Sequence, residues 1–349
     1  MTSPSAETLA PHIDIAVRDG EAAITQQRPA LVSSLVGMSV SRAMAFIPTL
    51  LPICGQAQSL AAQRAVAAAR GESEVNAERQ AQPWREQAFA AAWRLSIDWP
   101  ERLGEAHRMD ALGRVHRAPD DVVRAAALAQ TIPGLDAVQS LDQLLDWVRA
   151  SNCVAAGVAR RALDVGGPLS GVECLGEDAL ATLASEALAA EDFNALDPVD
   201  GALEVGPLAM ARDPLVAQLQ AELGTTLLAR VLAQILDTRF ICRALDAAAG
   251  AAEPETNAWS AAGGVGVGRA ITSRGPVFHR VCLDGGADRA VLDWRVLAPT
   301  DWHFAAGGPV AQALPQMVGD DAMKLLVTSY DPCAPWSLHT GPGEGSGRA

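Results

Sequence analysis

The sequence is poor in basic residues, and its single lysine is Lys324. Lys and Arg together number 27 against 41 Asp and Glu, so the formal net charge is −14. Nucleic-acid binding requires a basic face that neutralises phosphates, and this acidic composition argues against that class of partner. The strong preference for Arg over Lys, together with the abundance of Ala, reflects genome composition rather than guanidinium chemistry.

Long apolar runs and cysteine pairs are also missing. No charge-free segment reaches the roughly eighteen apolar residues of a membrane span, so we expect none. The first thirty residues carry four acidic side chains and lack the basic-then-apolar order of a secretory signal. None of the six cysteines forms a Cys-x-x-Cys pair, and a chain of 349 residues buries a large core without disulfides. These features favour a reducing, cytoplasmic location.

Two segments predict β-hairpins. Residues His12–Val17 alternate in polarity, Asp19-Gly20 turns the chain, and Glu21–Gln26 follows as a second strand. Near the C-terminus, the β-rich runs Val277–Asp284 and Ala290–Ala298 are separated by a Gly-Gly pair.

Helical patterns occupy most of the remaining chain. Leu31–Arg70 reads mostly helical, with breaks at Pro48 and Pro52. The longest pattern is Pro214–Ala249, in which leucines recur at helical spacing. Gly224 lies inside this pattern and predicts a kink or a close packing point.

Several further helical segments fill residues 80–190, and neither an internal repeat nor a clear linker is visible. We therefore predict a mixed α+β fold that is predominantly α-helical, with small β-hairpins near the N-terminus and before the C-terminal motif. We predict one domain over residues 1–339 and a disordered Gly-rich tail over residues 340–349. The sequence does not reveal a role for residues 71–200.

Two incomplete cysteine motifs carry most of the functional information. Residues 329–339 read Ser-Tyr-Asp-Pro-Cys-Ala-Pro-Trp-Ser-Leu-His, and residues 51–57 read Leu-Pro-Ile-Cys-Gly-Gln-Ala. They resemble the two signatures of nickel–iron hydrogenase large subunits, Asp-Pro-Cys-x-x-Cys-x-x-His and Arg-x-Cys-Gly-x-Cys. The first cysteine of each motif is present, as Cys333 and Cys54. The second is replaced, by Trp336 and by Ala57.

Other segments resemble the same family in the same order. They are residues 204–209 (Glu-Val-Gly-Pro-Leu-Ala), 273–275 (Ser-Arg-Gly) with His279 and Asp284-Gly285, 299–302 (Pro-Thr-Asp-Trp) and 308–310 (Gly-Pro-Val). The resemblance is specific from residue 201 to 339 and weak from 12 to 70. It implies a truncated hydrogenase large-subunit-like fold.

The resemblance also implies a set of site residues. In the family, four thiolates hold nickel and iron, and the iron carries one carbon monoxide and two cyanides. Cys54 and Cys333 match the terminal nickel ligands, and both bridging thiolates are absent, so a four-thiolate site is excluded by ligand count. Arg274 and Thr300 match the donors to the cyanides. Asp331 and His339 belong to the C-terminal motif beside Cys333.

Further departures argue against catalysis. The family's N-terminal Glu-Gly-His becomes Ala10-Pro11-His12, the Arg before the first Cys-Gly becomes Pro52, and a supporting His becomes Ala61. The proton-relaying carboxylate, the bridging thiolates and this His are missing together. The resemblance therefore implies that the protein is not an active hydrogenase.

Large-subunit-like proteins with partial cysteine motifs are known as accessory proteins of the HupK/HoxV type, and the chain resembles them. The resemblance implies a non-catalytic maturation factor. It would hold or assemble the iron–cyanide–carbonyl fragment on Cys54 and Cys333 for transfer to the large subunit, and whether nickel is carried stays open. The expected partners are a small hydrogenase maturation chaperone and the large-subunit precursor. The alternative is a metal-free interaction protein that mimics the large subunit to control assembly.

Local chemistry leaves further alternatives at these positions. We expect Cys54 to be stabilised as a thiolate because a helix begins just after it. Cys54 and Cys333 could instead be inherited residues packed in a core. Arg274 could pair with Asp284 or Asp301, Asp331 could brace a turn, and His339 could be a surface residue. A Gly-rich run at residues 263–268 lacks the Lys-Ser/Thr of a phosphate-binding loop, so we do not predict nucleotide binding there.

Overall fold

A computed structural model describes residues 11–27, 31–72, 82–166, 172–189, 202–246, 257–261, 263–285 and 289–341. The described strands are β1 His12–Arg18, β2 Glu21–Gln27, β3 Val172–Cys174, β4 Ala202–Glu204, β5 Ala258–Ala261, β6 Val265–Thr272, β7 Gly275–Leu283, β8 Val291–Leu297 and β9 Trp336–Thr340.

The described helices outnumber the strands. They are α1 Val40–Leu50, α2 Gly55–Arg70, α3 Gln82–Trp93, α4 Trp99–Leu103, α5 Met109–His116, α6 Asp121–Ala129, α7 Leu141–Ala150, α8 Val154–Val165, α9 Glu177–Ala189, α10 Pro207–Met210, α11 Pro214–Leu223, α12 Leu227–Asp246, α13 Pro299–His303, α14 Pro309–Ala313 and α15 Asp320–Ser329. The π-helical segment Arg94–Asp98 joins α3 to α4. None of these helices combines the length and apolar character that a membrane crossing requires. The predicted predominantly α-helical α+β fold is confirmed.

The predicted N-terminal hairpin is confirmed, and it joins the two ends of the chain. β1 pairs antiparallel with β2, and the turn residues Asp19 and Gly20 have φ angles of 50° and 80°. β9 pairs parallel with the other edge of β1, with Ile13 opposite Trp336 and completing a sheet of order β2–β1–β9. Because β9 follows the C-terminal cysteine motif directly, this pairing holds that motif against the N-terminal region.

The C-terminal hairpin β7–β8 is also confirmed, within a larger sheet of order β5–β6–β7–β8. The alternating glycines of β6 explain why this strand was not predicted from the sequence. A Cβ atom at Gly268 would collide with the backbone O of Ala61 and N of Ala65, and Gly266 makes the same kind of approach one turn later on α2. Glycine allows the strand and the Ala-rich helix to touch backbone to backbone.

Pro48 and Gly224 act differently from the prediction, whereas the break predicted at Pro52 is confirmed. Pro48 lies inside α1, near its end, where the helix loses only one late backbone hydrogen bond. The helix is broken only at residues 51–54, which include Pro52. Gly224, with φ 59° and ψ −141°, ends α11 and separates it from α12, so the pattern at 214–249 contains two helices rather than a kinked one.

Helix α12 lies at the centre of the largest apolar cluster and is buried on nearly every side. Its buried charged side chains are all paired. Arg230 bonds Glu204 at 2.7 Å, Asp237 bonds Arg212, and Arg239 bonds Asp213 at 2.6 Å. These pairs fix the segments at 204 and 212–213 to the core, since an unpaired charge at such depth would be costly.

The predicted tail begins one residue too early, because Thr340 is the last residue of β9. Residues 342–349 lie outside the described residues, so the disordered tail stays a prediction, as does the single domain.

Candidate functional site

Cys54 and Cys333 line one cavity of about 940 Å³. Cys54 is the N-cap of α2 and has a left-handed backbone, with φ 59°. Cys333 lies in the turn between α15 and β9, where its backbone N–H donates to Thr300 Oγ1 at 3.2 Å. The two thiols are near enough for a charge on Cys333 to raise the pKa of Cys54. The fold thus brings together two thiols 279 positions apart in the sequence.

Arg274 links the two cysteine motifs. It lies in the turn between β6 and β7, and its guanidinium donates to the backbone O and Oδ1 of Asp331 at 2.6 and 3.2 Å. Its third contact is Cys54 Sγ, at 3.4 Å. The alternative pairings with Asp284 or Asp301 are wrong: those carboxylates accept the backbone N–H groups of residues 290 and 298.

The Arg-Gly pair at 274–275 has a steric explanation. Gly275 has φ 132°, a conformation that L side chains rarely adopt. A Cβ atom there would collide with the backbone O of Val205, in the Glu-Val-Gly-Pro-Leu-Ala segment. The glycine therefore allows the arginine turn to pack directly on that segment.

Thr300 and Asp331 lie close to the thiols, but their hydrogen bonds hold neighbouring groups rather than the sulfur atoms. Thr300 is buried and holds the backbone of Cys333, and it is not among the residues that line the cavity. Asp331 does line the cavity, has φ 49°, and anchors Arg274. Its second oxygen, Oδ2, lies 3.9 Å from the guanidinium of Arg94. The two guanidinium groups therefore flank one carboxylate.

His339 lies apart from this group. Its side chain is exposed on β9, opposite Ala16 of β1, and the cavity lining does not include it. Its strand nevertheless carries Trp336 and Leu338, which do line the cavity.

The N-terminus of α2 is occupied by Glu86, a residue on α3 that the sequence analysis missed. Glu86 Oε1 and Oε2 accept the backbone N–H groups of Gln56 and Ala57 at 2.9 and 3.0 Å. These N–H groups were expected to stabilise a Cys54 thiolate. Instead, burial raises the pKa of Cys54 to about 12; Arg274 opposes this rise and the charge of Glu86 adds to it. The predicted activated thiolate is therefore wrong.

The positions that replace the family's second cysteines are filled. Ala57 is fully buried, and its backbone faces the Glu86 carboxylate. The Trp336 ring lines the cavity, with the Arg102 guanidinium 5.0 Å from its centroid. A carboxylate and an indole therefore stand beside the two remaining thiols.

Aromatic and acidic side chains from the π-helical region complete the wall. Trp93, which is 44% exposed, donates its indole N–H to Asp98 Oδ1 at 3.1 Å. Burial, followed by the charge of Asp331, raises the pKa of Asp98 to about 6. Arg94 is buried, and its nitrogens have no hydrogen-bond partner among the described residues. The sequence did not reveal these three residues as part of the site, because none of them belongs to a recognisable motif.

His279 holds the first turn of α2 in position through a hydrogen bond to Gln58. Its Nδ1 accepts the indole N–H of Trp294 at 2.9 Å, so Nε2 carries the proton and donates to Gln58 Oε1 at 2.6 Å. Burial lowers the pKa of His279 to about 3, which keeps the ring neutral. This bond fixes the first turn of α2, the turn that follows Cys54.

The described residues offer few donors for a metal at this cavity. Among the described residues, no three or more His, Cys, Asp or Glu side chains are grouped to hold a metal ion. Two thiols remain, and soft thiolates suit iron and nickel. An iron that carries its own diatomic ligands needs few protein donors, and such a fragment occupies roughly four water volumes, about 120 Å³. The cavity is large enough for it.

The structure has the fold of nickel–iron hydrogenase large subunits. It is similar to an NAD+-reducing [NiFe]-hydrogenase (TM-score 0.56, 15% identity, covering 90% of this chain and 93% of that chain). It is equally similar to the Ni-Fe-Se hydrogenase of D. vulgaris Hildenborough (TM-score 0.56, 14% identity, covering 91% and 94%). At these identities the likeness establishes the fold alone.

Sequence comparison defines the family within that fold. No family model matches the chain. It is 30% identical to the hydrogenase expression/formation protein HupK of Azotobacter vinelandii, covering 94% of this chain and 97% of the relative. It is also 30% identical to the hydrogenase expression/formation protein HupV of Azotobacter chroococcum mcd 1, covering 89% and 92%. The chain belongs to the HupK-type family of hydrogenase expression/formation proteins.

Proposed function

We propose that the protein is a non-catalytic maturation factor that holds the iron–cyanide–carbonyl fragment of a nickel–iron hydrogenase before its transfer to the large subunit. The observation that carries the proposal is the shared cavity of Cys54 and Cys333, with the Arg274 guanidinium 3.4 Å from Cys54 Sγ. Two soft sulfur donors beside a partly buried cation suit an electron-rich metal fragment with anionic ligands.

Each neighbouring residue has a role in this proposal. Arg274 offers hydrogen bonds and positive charge to the bound fragment, and Asp331 orients it. Thr300 holds the loop of Cys333 rather than the cargo, since it accepts the Cys333 N–H and is not among the residues that line the cavity. We leave the exposed His339 out of the proposed site.

The small number of protein ligands favours release. Two thiolates bind less tightly than four, and both must lose their protons when the metal binds. Because burial raises the pKa of Cys54 to about 12, reprotonation of this thiol favours departure of the fragment. The proposed partners are a small maturation chaperone and the large-subunit precursor. Nickel has no assigned place in the proposal.

Infrared spectroscopy tests the proposal directly. The protein is purified without oxygen from cells that contain the whole maturation machinery. We expect cyanide and carbonyl stretching bands in the wild type and their loss in the Cys54→Ala, Cys333→Ala double variant. The matched control is the Cys242→Ala, Cys282→Ala variant, which removes two other partly buried thiols and should keep the bands. Folded wild-type protein without bands would refute metal carriage.

A second candidate function has its own support. The protein could be a metal-free interaction protein that mimics the large subunit to control assembly. The high pKa of Cys54 favours it, because that thiol is protonated at neutral pH when no metal is present. This function predicts that the Cys54→Ala, Cys333→Ala variant still supports hydrogenase maturation in cells, whereas the metal-carrying function predicts that maturation fails.

A further inference from the structure

Arg94 is a buried cation without hydrogen bonds. It is the first residue of the π-helical segment, a rare conformation that is frequent at functional sites, and its side chain is 2% exposed. None of its three guanidinium nitrogens has a hydrogen-bond partner among the described residues. Burying donors of this kind unbonded is costly, so the arrangement indicates a second state of the protein in which the guanidinium is bonded.

The acceptor that faces Arg94 is the carboxylate of Asp331. Arg94 Nη2 lies 3.9 Å from Asp331 Oδ2, which is close enough for charge attraction but beyond hydrogen-bond distance. That oxygen is also buried and has no hydrogen-bond partner among the described residues. Asp98, at the other end of the π-helical segment, accepts the indole N–H of Trp93 instead. A donor and an acceptor thus face each other across a short gap.

The same carboxylate occupies one donor of Arg274. Arg274 donates from Nε to the backbone O of Asp331, from Nη1 to Cys54 Sγ and from Nη2 to Asp331 Oδ1. Rotation of the Asp331 side chain would break only the last of these bonds, because the backbone O would still hold Nε. The bond from Nη2 is also longer than the bond from Nε, at 3.2 Å against 2.6 Å. Such a rotation therefore frees one donor without displacing the arginine.

We propose that Arg94 is a positioning residue that takes over the Asp331 carboxylate when an anionic ligand enters the thiol cavity. The released Nη2 of Arg274 then donates to the ligand, a linear anion with a terminal nitrogen acceptor, such as a metal-bound cyanide. Arg94 is not among the residues that line the cavity, whereas Asp331 is, so Arg94 acts on the ligand through Asp331.

The exchange leaves both cations bonded. The incoming anion replaces the carboxylate at Arg274, and Asp331 gains charge-assisted hydrogen bonds to a guanidinium that had none. The inference rests on the proposed function for the identity of the natural ligand, whereas the movement of Asp331 requires only an anion beside Arg274.

Thiocyanate, a linear anion with a terminal nitrogen, tests the exchange without any metal. The protein is produced without other maturation factors, and the C≡N stretching band of bound thiocyanate is titrated by infrared spectroscopy. We expect affinity about tenfold weaker in Arg94→Met and about threefold weaker in Arg94→Lys, whose ammonium group restores part of the interaction. Arg295→Met, which removes an exposed arginine on β8, should bind as the wild type does. Absence of binding to the wild type, or equal affinities of the Arg94→Met and Arg295→Met variants, would overturn the proposal.

A double-mutant cycle measures whether Arg94 acts through Asp331. In the Asp331→Asn background, which has no carboxylate to exchange, Arg94→Met should leave the affinity for thiocyanate unchanged. A change at Arg94 that only distorted the cavity wall would weaken binding equally in both backgrounds, and that result would overturn the proposal. Circular dichroism checks that each variant is folded.

The thiocyanate result is separate from the test of metal carriage. If thiocyanate binding depends on Arg94 while the protein purified with the maturation machinery shows no cyanide and carbonyl bands, the exchange stands and metal carriage fails. If those bands are present and thiocyanate binding does not depend on Arg94, metal carriage stands and the exchange fails.

Discussion

The reactivity of Cys54 offers a direct measure of the electrostatics of the site. Burial raises the pKa of Cys54 from 9.0 to about 12, so near neutral pH its thiolate is about 1,000-fold scarcer than that of an ordinary exposed cysteine. A more basic thiolate is also more nucleophilic, which recovers about 20-fold. We therefore expect alkylation of Cys54 about 50-fold slower than that of an unperturbed exposed thiol.

The pH profile separates this expectation from an activated thiolate. The alkylation rate of the Cys54 peptide, followed by mass spectrometry, should rise about tenfold per pH unit without levelling off up to pH about 10. Glu86→Gln should speed the reaction, because the carboxylate raises the pKa of Cys54. Arg274→Gln should slow it, because the guanidinium lowers that pKa. A rate that levels off below pH about 9 would refute the burial argument.

Three further predictions concern stability, measured by urea unfolding. Gly268→Ala should lower the free energy of unfolding by about 3 kcal/mol, because the added Cβ would collide with α2. Gly285→Ala, with open space around the added Cβ, should change this free energy little. Equal effects of the two changes would refute the close packing of Gly268 on α2. Asp98 has a pKa raised from 3.8 to about 6, so the folded state binds the extra proton and stability falls as pH rises through that window. Asp98→Asn should therefore be more stable than the wild type by about 1 kcal/mol above pH 6 and equal to it below pH 4, and a constant difference would contradict the shift. Glu204→Gln should lower the free energy of unfolding by about 3 kcal/mol, because it leaves Arg230 buried without its charge partner. A loss below about 1 kcal/mol would contradict the burial of this ion pair.

The sequence predicted the elements whose patterns are local. Alternation around a turn defined the first hairpin, two β-rich runs separated by a glycine pair defined the second, and helical periodicity defined α12. The β6 strand was missed because its glycines removed the β-branched signature, although those glycines are what its packing on α2 requires. The break at Gly224 was misread as a kink because periodicity continues on both sides of it.

The cysteine motifs predicted which thiols belong together, but not their environment. Short motifs report residue types, whereas the pKa of Cys54 depends on its depth and on Glu86, which belongs to another helix. The pairing of Arg274 with Asp331 likewise depends on two turns 57 positions apart. Such contacts arise only from tertiary packing.

The parallel pairing of β1 with β9 sets the order of events as the protein is made. Ile13 must find Trp336, which leaves the ribosome more than 300 residues later. At roughly 5–20 residues per second, β1 waits about 15–60 s for its partner. Cys333 is synthesised just before β9, so a nascent chain cannot assemble the thiol cavity early. The thiol cavity therefore forms only after Cys333 and β9 have left the ribosome, and a shorter nascent chain holds Cys54 without its partner thiol.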